Sequence, residues 1–340
     1  MKTFKYLLFL LLIITIGFCI YIAVQPNSFE ISKTRTIKAP ASVIYNNVID
    51  FKNWEAWSAW AEADPDIEIS LPNQTKGING TYFWEDNNGA GTIKTTDATP
   101  FSSIDQDMQI SNFPTSNLNW KFKSNDDGST NVTWTITANH LSFKFKMNAV
   151  LMGDLEHEIE THYERSLEKL DSIVVTNMKK YSIEINGITE HSGGFYIYNS
   201  TSSKIDNLKN SIDDLLPKVK KYAQENNIAI SGFPFINYHS YDAENNAVMF
   251  SCCIPTTSKV ITNQPDILTG QLEPFRTLKT TLKGDYTNLK EAWDMSMKYI
   301  TNSGNTVADN GPMLEVYLND SSIVTNPAEW KTEIYIALKD

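Results

Sequence analysis

The apolar and polar positions fall into three successive patterns. From Tyr6 to Val24 the chain reads YLLFLLLIITIGFCIYIAV, without a single charge. A run of that length and composition predicts a membrane-spanning helix. Lys2 and Lys5 precede it and the next basic residue is Lys33. A basic flank stays in the cytoplasm, so a single-pass anchor over residues 1–25 predicts a cytoplasmic N-terminus and soluble domains on the outer side. The other reading is a cleaved signal peptide, against which stand the length of the apolar run and the poor small-residue site at IAVQP.

Beyond the anchor the pattern shortens. FEISKTRTIKA reads as a strand, and PASVIYNNVIDFKNWEAWSAW as one or two short helices opened by Pro40. Five alternating segments follow: GTYFWED, GAGTIKTTDA, SSIDQDMQIS, NLNWKFKS and STNVTWTITAN. Gly, Asn and Asp separate them, as in an antiparallel meander, with NDDG at 125–128 as a hairpin turn. Leu155, Ile159, Tyr163, Leu167, Leu170 and Val174 then recur at spacings of three and four. That stripe predicts a long helix from about 152 to 177. Residues 29–178 thus read as an α+β domain.

The third pattern, over residues 180–340, repeats itself. KYAQENNIAISGFPFINYHSYDAENNAVMFSCCIP (221–255) can be laid against KYITNSGNTVADNGPMLEVYLNDSSIVTNPAEWKTEIYIALK (298–339). The segments YSIEINGITEHSGGFYIY and FRTLKTTLKGDYTNLKEAW lead into the two corresponding helices. Each half therefore predicts strand–helix–strand–strand, and two such halves leave a groove about a pseudo-twofold axis, where ligands often bind. Within GPMLEVYLND (311–320), bounded by Gly311-Pro312 and Asn319-Asp320, alternation places Met313, Glu315 and Tyr317 on one strand face and Leu314, Val316 and Leu318 on the other. The alignment sets Glu315 opposite Asn237, so only the second half carries a charge there.

Composition adds little to this. The 340 residues are 41% hydrophobic and 20% charged, with a net charge of −11 from 40 acidic and 29 basic residues. No basic run suggests a nucleic-acid surface. Of the three cysteines, Cys19 lies in the anchor, and the adjacent Cys252 and Cys253 point to opposite faces of a strand. They read as small buried apolar residues.

Candidate chemistry is sparse. HEIETH (157–162) resembles a zinc motif, but its histidines are five apart and differ by about 140° around a helix, so no metal is expected there. Trp54, Trp57 and Trp60 read as core, with a pocket mouth as the alternative. His191, beside Gly193-Gly194, reads as structural. Glu333, alternating with Tyr335, is either a second carboxylate or a solvent-facing one. Glu315 is the sharpest candidate, because a carboxylate on a strand that reads as buried on both sides needs a partner. That partner is an organic cation held against aromatic faces, an internal lysine, or a hydrogen bond from Tyr286 or Tyr317.

Two family resemblances extend these readings. The residues TIKAPASVIYNNVIDFKNWEAWSAW (36–60) resemble the START-like superfamily, in its polyketide cyclase/dehydrase branch. This implies a helix-grip fold over roughly 29–175, with a long helix across a curved sheet and an apolar cavity between them. LKGDYTNLKEAW (282–293), GPMLEVYLND (311–320) and EWKTEIYIALK (329–339) resemble the gyrase-inhibitor-like, or bacterial transcription-activator effector-binding, family. That resemblance implies a buried glutamate at Glu315 facing a pocket for lipophilic cations or other small molecules, with Tyr286, Trp293 and Tyr317 at its aromatic positions.

No catalytic residue is carried over from either family, no cofactor is expected, and no histidine of these motifs suggests haem. The expected fold class is a transmembrane helix, a helix-grip domain and a duplicated effector-binding domain. The expected function is a membrane-anchored binder of hydrophobic or cationic small molecules, for sensing or sequestration, with no nucleic-acid partner. The alternatives are a hydrolase or cyclase using Glu315 with a pocket tyrosine, and a partner-binding protein with vestigial pockets.

Overall fold

In the computed structural model, residues 2–64, 66–86, 89–111, 113–153, 155–319 and 321–339 are described. The Leu155 side chain of the expected helix stripe and the turn expected at Asp320 lie outside them. The chain divides into two compact units, Met1–Asn177 and Met178–Asp340. Both are α+β and each is built on one antiparallel sheet.

The first unit opens with helix α1 (Lys2–Ala23), within which Phe4–Ala23 is long and apolar enough to cross a membrane, although a signal sequence would have the same character. Strand β1 (Ser28–Ile37) leads to the short helices α2 (Ala41–Val48), α3 (Trp54–Trp57) and α4 (Ala59–Ala63). The strands β2 (Glu68–Ser70), β3 (Thr81–Asp86), β4 (Gly89–Thr99), β5 (Ser103–Ile110), β6 (Ser116–Ser124) and β7 (Thr130–Asn139) follow. The sheet order β1-β7-β6-β5-β4-β3-β2 is a meander closed by β1. The brief β2 has no counterpart in the sequence reading.

The expected long helix is α6 (Leu155–Met178), and a further helix, α5 (Phe143–Met152), precedes it, ending at Gly153, whose φ of 97 no side-chain-bearing residue adopts easily. On α5, the buried Lys146 donates through its ammonium to the carbonyls of Ala23 (3.3 Å) and Gln25 (2.8 Å) and to Asn27, tying α5 to the end of α1.

Alternation on β6 and β7 turns Leu118, Trp120 and Phe122, and Val132, Trp134 and Ile136, toward α6. Trp120 stands opposite Trp134 in register and stacks on it at 4.2 Å. Tyr163 of α6 stacks on the far side of Trp134 at 3.8 Å. Trp54 and Trp57 join this group edge-on, both fully buried, while Trp60 stays partly exposed and stacks on His162. The space between helix and sheet is therefore occupied by aromatic rings. Trp54 and Trp57 are core, as their helical spacing predicted.

The second unit runs β8 (Ser182–His191), β9 (Gly194–Lys204), α7 (Leu208–Glu225), β10 (Phe235–Asp242), β11 (Ala247–Thr256), β12 (Leu268–Leu272), β13 (Phe275–Lys283), α8 (Leu289–Asn302), β14 (Met313–Tyr317) and β15 (Lys331–Ala337). Its sheet order is β12-β9-β11-β10-β14-β15-β13-β8. The halves β9-α7-β10-β11 and β13-α8-β14-β15 meet where Phe235–Asn237 pairs with Leu314–Val316.

The sequence reading missed one strand per half. The segment YSIEINGITEHSGGFYIY is two strands, and β12 is a further one. Each extra strand pairs with the first strand of the opposite half, β8 with β13 and β12 with β9. The halves thus exchange edge strands. Ile236, Phe250 and Cys252 pack with Val219 and Tyr222 of α7, and Leu278, Ile334 and Ile336 pack with Ala292 and Ile300 of α8. On the opposite face, Leu314, Phe235, Tyr196 and Cys253 form a separate cluster. Cys252 and Cys253 are both free and point to the two different faces.

Candidate functional site

Glu315 sits in the middle of β14, on the face that carries the helices, and only 3% of it is exposed. Three neutral groups hold its carboxylate. The Trp293 indole N–H on α8 donates to Oε1 at 2.6 Å. The Tyr238 hydroxyl on β10 donates to Oε2 at 3.0 Å, and the Tyr317 hydroxyl, two residues along β14, donates to the same oxygen at 3.1 Å. No lysine or arginine among the described residues makes an ion pair with it.

Alternation brings Tyr317 and Glu315 to one face. The apolar face of α8, through Ala292, Ser296 and Ile300, docks the helix so that Trp293 reaches over the strand. A buried hydroxyl pair, Thr280 with Ser296 at 2.7 Å, fixes α8 against β13.

Burial pushes the Glu315 carboxyl above its ordinary value, and the three hydrogen bonds pull against that shift. Burial, with the carboxylate next to them, holds the Tyr238 and Tyr317 hydroxyls well above theirs, so both remain protonated donors. Each hydrogen bond to a charged group contributes about 1.5–3 kcal/mol. Neutral donors stabilise the anion without cancelling its charge. The arrangement can therefore accept a cation, or hold and release a proton at Oε2.

The other expected residues fall nearby in different ways. Tyr286, in the turn before α8, packs edge-on to Tyr317 at 5.3 Å and stacks on Trp330 at 4.6 Å, forming a second aromatic layer behind the hydroxyl. Met313 packs in the apolar cluster beneath α8 together with Trp293.

Tyr238 was missed by the sequence reading. Its ring meets Trp293 edge-on at 5.9 Å. The reason is a slip of one residue in the repeat alignment. Asn237, set opposite Glu315 there, pairs with Leu314 and accordingly lies on the face away from the helices. A one-residue shift exchanges the faces of a strand. Laid one position further along, the repeat brings Tyr238 to Glu315.

The remaining candidates lie on the opposite face. Glu333 on β15 forms an ion pair with Lys279 at 2.7 Å and accepts from the Tyr335 hydroxyl at 2.6 Å, so it is neither a free carboxylate nor a second one for Glu315. His191 stacks on Phe275 at 4.9 Å.

Residues 196–339 match the family model of the GyrI-like small-molecule-binding domain. Among solved structures, the chain is similar to the C-terminal domain of EcmrR, with 15% identity and a TM-score of 0.39, over 47% of this chain and 98% of that one. It is also similar to EcmrR in a complex with DNA, with 14% identity and a TM-score of 0.41, over 60% of this chain and 86% of that one. A third similarity is to the protein CV1439 of Chromobacterium violaceum, with 14% identity and a TM-score of 0.33, over 44% and 98% of the two chains. A comparison with curated proteins gave no match. From Tyr196 to Lys339, the chain is a GyrI-like small-molecule-binding domain.

Proposed function

We propose that this is a membrane-anchored protein that captures apolar or lipophilic cationic compounds, for sensing or sequestration, with Glu315 as the charged centre of its site. In this reading residues 1–25 are an uncleaved anchor with a cytoplasmic N-terminus, 29–178 a START-like helix-grip domain, and 180–340 the effector-binding domain. The anchor reading is supported by the apolar helix Phe4–Ala23 with Lys2 and Lys5 before it. The helix-grip reading is supported by the seven-stranded meander with α6 lying on its aromatic side.

One observation carries the ligand assignment. Among the described residues, Glu315 is a buried carboxylate held only by neutral N–H and O–H donors, all of them on aromatic rings. An organic cation placed there gains charge pairing and cation–π contact together, in surroundings of low polarity. Each such ring contact adds about 0.5–2 kcal/mol. Because Glu315 is closed over, a guest reaches it by parting Trp293 from Tyr238 and exchanging hydrogen bonds for its own contacts.

Titration of the detergent-solubilised full chain with tetraphenylphosphonium tests this. Glu315→Gln keeps the shape and the acceptor oxygen but removes the charge. The expected result is an affinity at least tenfold weaker, about 1.4 kcal/mol. Equal affinity in the two proteins would remove the assignment.

The hydrolase or cyclase reading is favoured by the same trio, since Tyr238 and Tyr317 share Oε2 with any proton that Glu315 holds. It requires the opposite outcome, in which Glu315→Gln binds substrate as before and loses turnover.

A further inference from the structure

On the other face of β14 lies a cavity of about 190 Å³. Leu314 and Val316, which flank Glu315 in sequence, form its floor, and Phe195, Tyr196, Phe233 and Phe235 are among its walls. One end is the turn His191–Gly194. Gly193 has a φ of 68, and a Cβ there would lie 2.1 Å from the Leu272 carbonyl oxygen, so only glycine lets this turn close against the end of β12.

The lining contains no aspartate, glutamate, lysine or arginine. A charged guest would surrender its hydration without compensation there, and the cavity therefore selects against it. Two rings in the lining carry polar atoms, Tyr196, whose hydroxyl interacts with Asn237, and His191. The Gly193 N–H donates to its Nδ1 at 3.1 Å, so the neutral imidazole carries its hydrogen on Nε2. Stacking on Phe275 and edge contact with Tyr335 at 5.0 Å fix the plane of the ring. Burial lowers the affinity of His191 for a second proton. A cavity of about 150 Å³ is large enough to take up benzene, so this one has the volume for a small flat ring system.

We propose that this cavity is a second binding site, back to back with Glu315 across β14, for a neutral, flat aromatic compound bearing one oxygen acceptor. The acceptor takes the hydrogen bond of the His191 ring, and the aromatic walls hold the guest's faces. The site differs in kind from the Glu315 site. One strand presents a carboxylate to a cation on its helix side and aliphatic side chains to an uncharged guest on the other. The proposal goes beyond the reading of Glu315 and does not depend on it.

Coumarin, flat and uncharged with a single carbonyl, is the probe, and naphthalene is its control without an acceptor. Both are titrated calorimetrically into the detergent-solubilised full chain. Coumarin is expected to bind at least fivefold tighter than naphthalene, and equally well to Glu315→Gln. A Cβ at Gly232 would rest at 3.4 Å from Pro255, so Gly232→Leu fits the backbone while filling the cavity mouth. It is expected to weaken coumarin at least fivefold and to leave tetraphenylphosphonium binding unchanged. Phe233 is half exposed, so Phe233→Ala removes one wall without threatening the fold, and it decides the matter if Gly232→Leu fails to fold. His191→Phe is expected to erase the preference for coumarin over naphthalene. The proposal is overturned if coumarin does not bind the wild-type chain, or if its affinity is insensitive to the cavity variants. Failure of the Glu315 reading would appear separately, as cation binding indifferent to Glu315→Gln.

Discussion

The aromatic interior of the first unit and the aromatic cluster around Glu315 use the same residue types to opposite ends. In the first unit, Trp54, Trp57, Trp120, Trp134 and Tyr163 pack on one another. The indole N–H groups of Trp57 and Trp134 meet no acceptor among the described residues. Their rings are turned edge to face at 6.1 Å, where the electropositive edge of one meets the electron-rich face of the other. Around Glu315, by contrast, one indole N–H and two hydroxyls converge on a single carboxylate. Aromatic density therefore does not distinguish a core from a site. The direction of the polar edges does, because donors converge only where a charge has to be held.

The largest effect is expected from Trp134→Ala. It removes a ring stacked on both sides, and about 3–5 kcal/mol of stability should go with it. Urea unfolding would show the loss, while tetraphenylphosphonium affinity should stay as in the wild type. A fall in affinity instead would mean that the aromatic interior also serves the ligand site.

Next comes pH. The folded-state pKa of Glu315 lies above its ordinary 4.5, so the protonated form is favoured by folding. This contribution to stability is complete below about pH 4.5 and disappears as pH rises through the folded value. Cation affinity moves the other way, since only the ionised form attracts. It should weaken by up to about tenfold for each pH unit below the folded value. In Glu315→Gln that slope should vanish, and a slope surviving in the variant would assign it to another group.

A smaller effect is expected from Trp293→Phe. It keeps a ring but removes the 2.6 Å donor that holds the anion, so Glu315 should titrate higher and cation binding weaken. Proton release on binding, read by calorimetry in two buffers, would report the shift. An unchanged proton count would show that the hydrogen bond contributes nothing.

The smallest effect belongs to Glu333→Gln. Glu333 is the partnered counterpart of Glu315 on the adjacent strand, and its ion pair with Lys279 is partly exposed. Stability should fall by about 1 kcal/mol or less, with no change in cation affinity. Weakened cation binding would undo the distinction between the paired and the unpaired carboxylate.

Much of this was legible in the chain itself. Period-two alternation located the strands β3 to β7, and the stripe of Tyr163, Leu167, Leu170 and Val174 located α6, because side-chain direction is a local property of backbone geometry. The internal repeat foretold two equivalent strand–helix–strand–strand halves, and alternation put Glu315 and Tyr317 on one face. Those inferences need only neighbours in sequence. The crossed edge strands β8 and β12 and the face on which Asn237 lies did not follow. They depend on which distant strand each segment pairs with, and a slip of one residue inverts the answer. The partners of Glu315 were decided at the same level. Trp293 and Tyr238 are separated from it by 22 and 77 residues, and only the docking of α8 over paired β10 and β14 brings their polar edges onto one carboxylate. Sequence marked the buried charge, and tertiary packing chose what surrounds it, because burial is local to a strand while hydrogen-bond convergence is a property of the whole sheet.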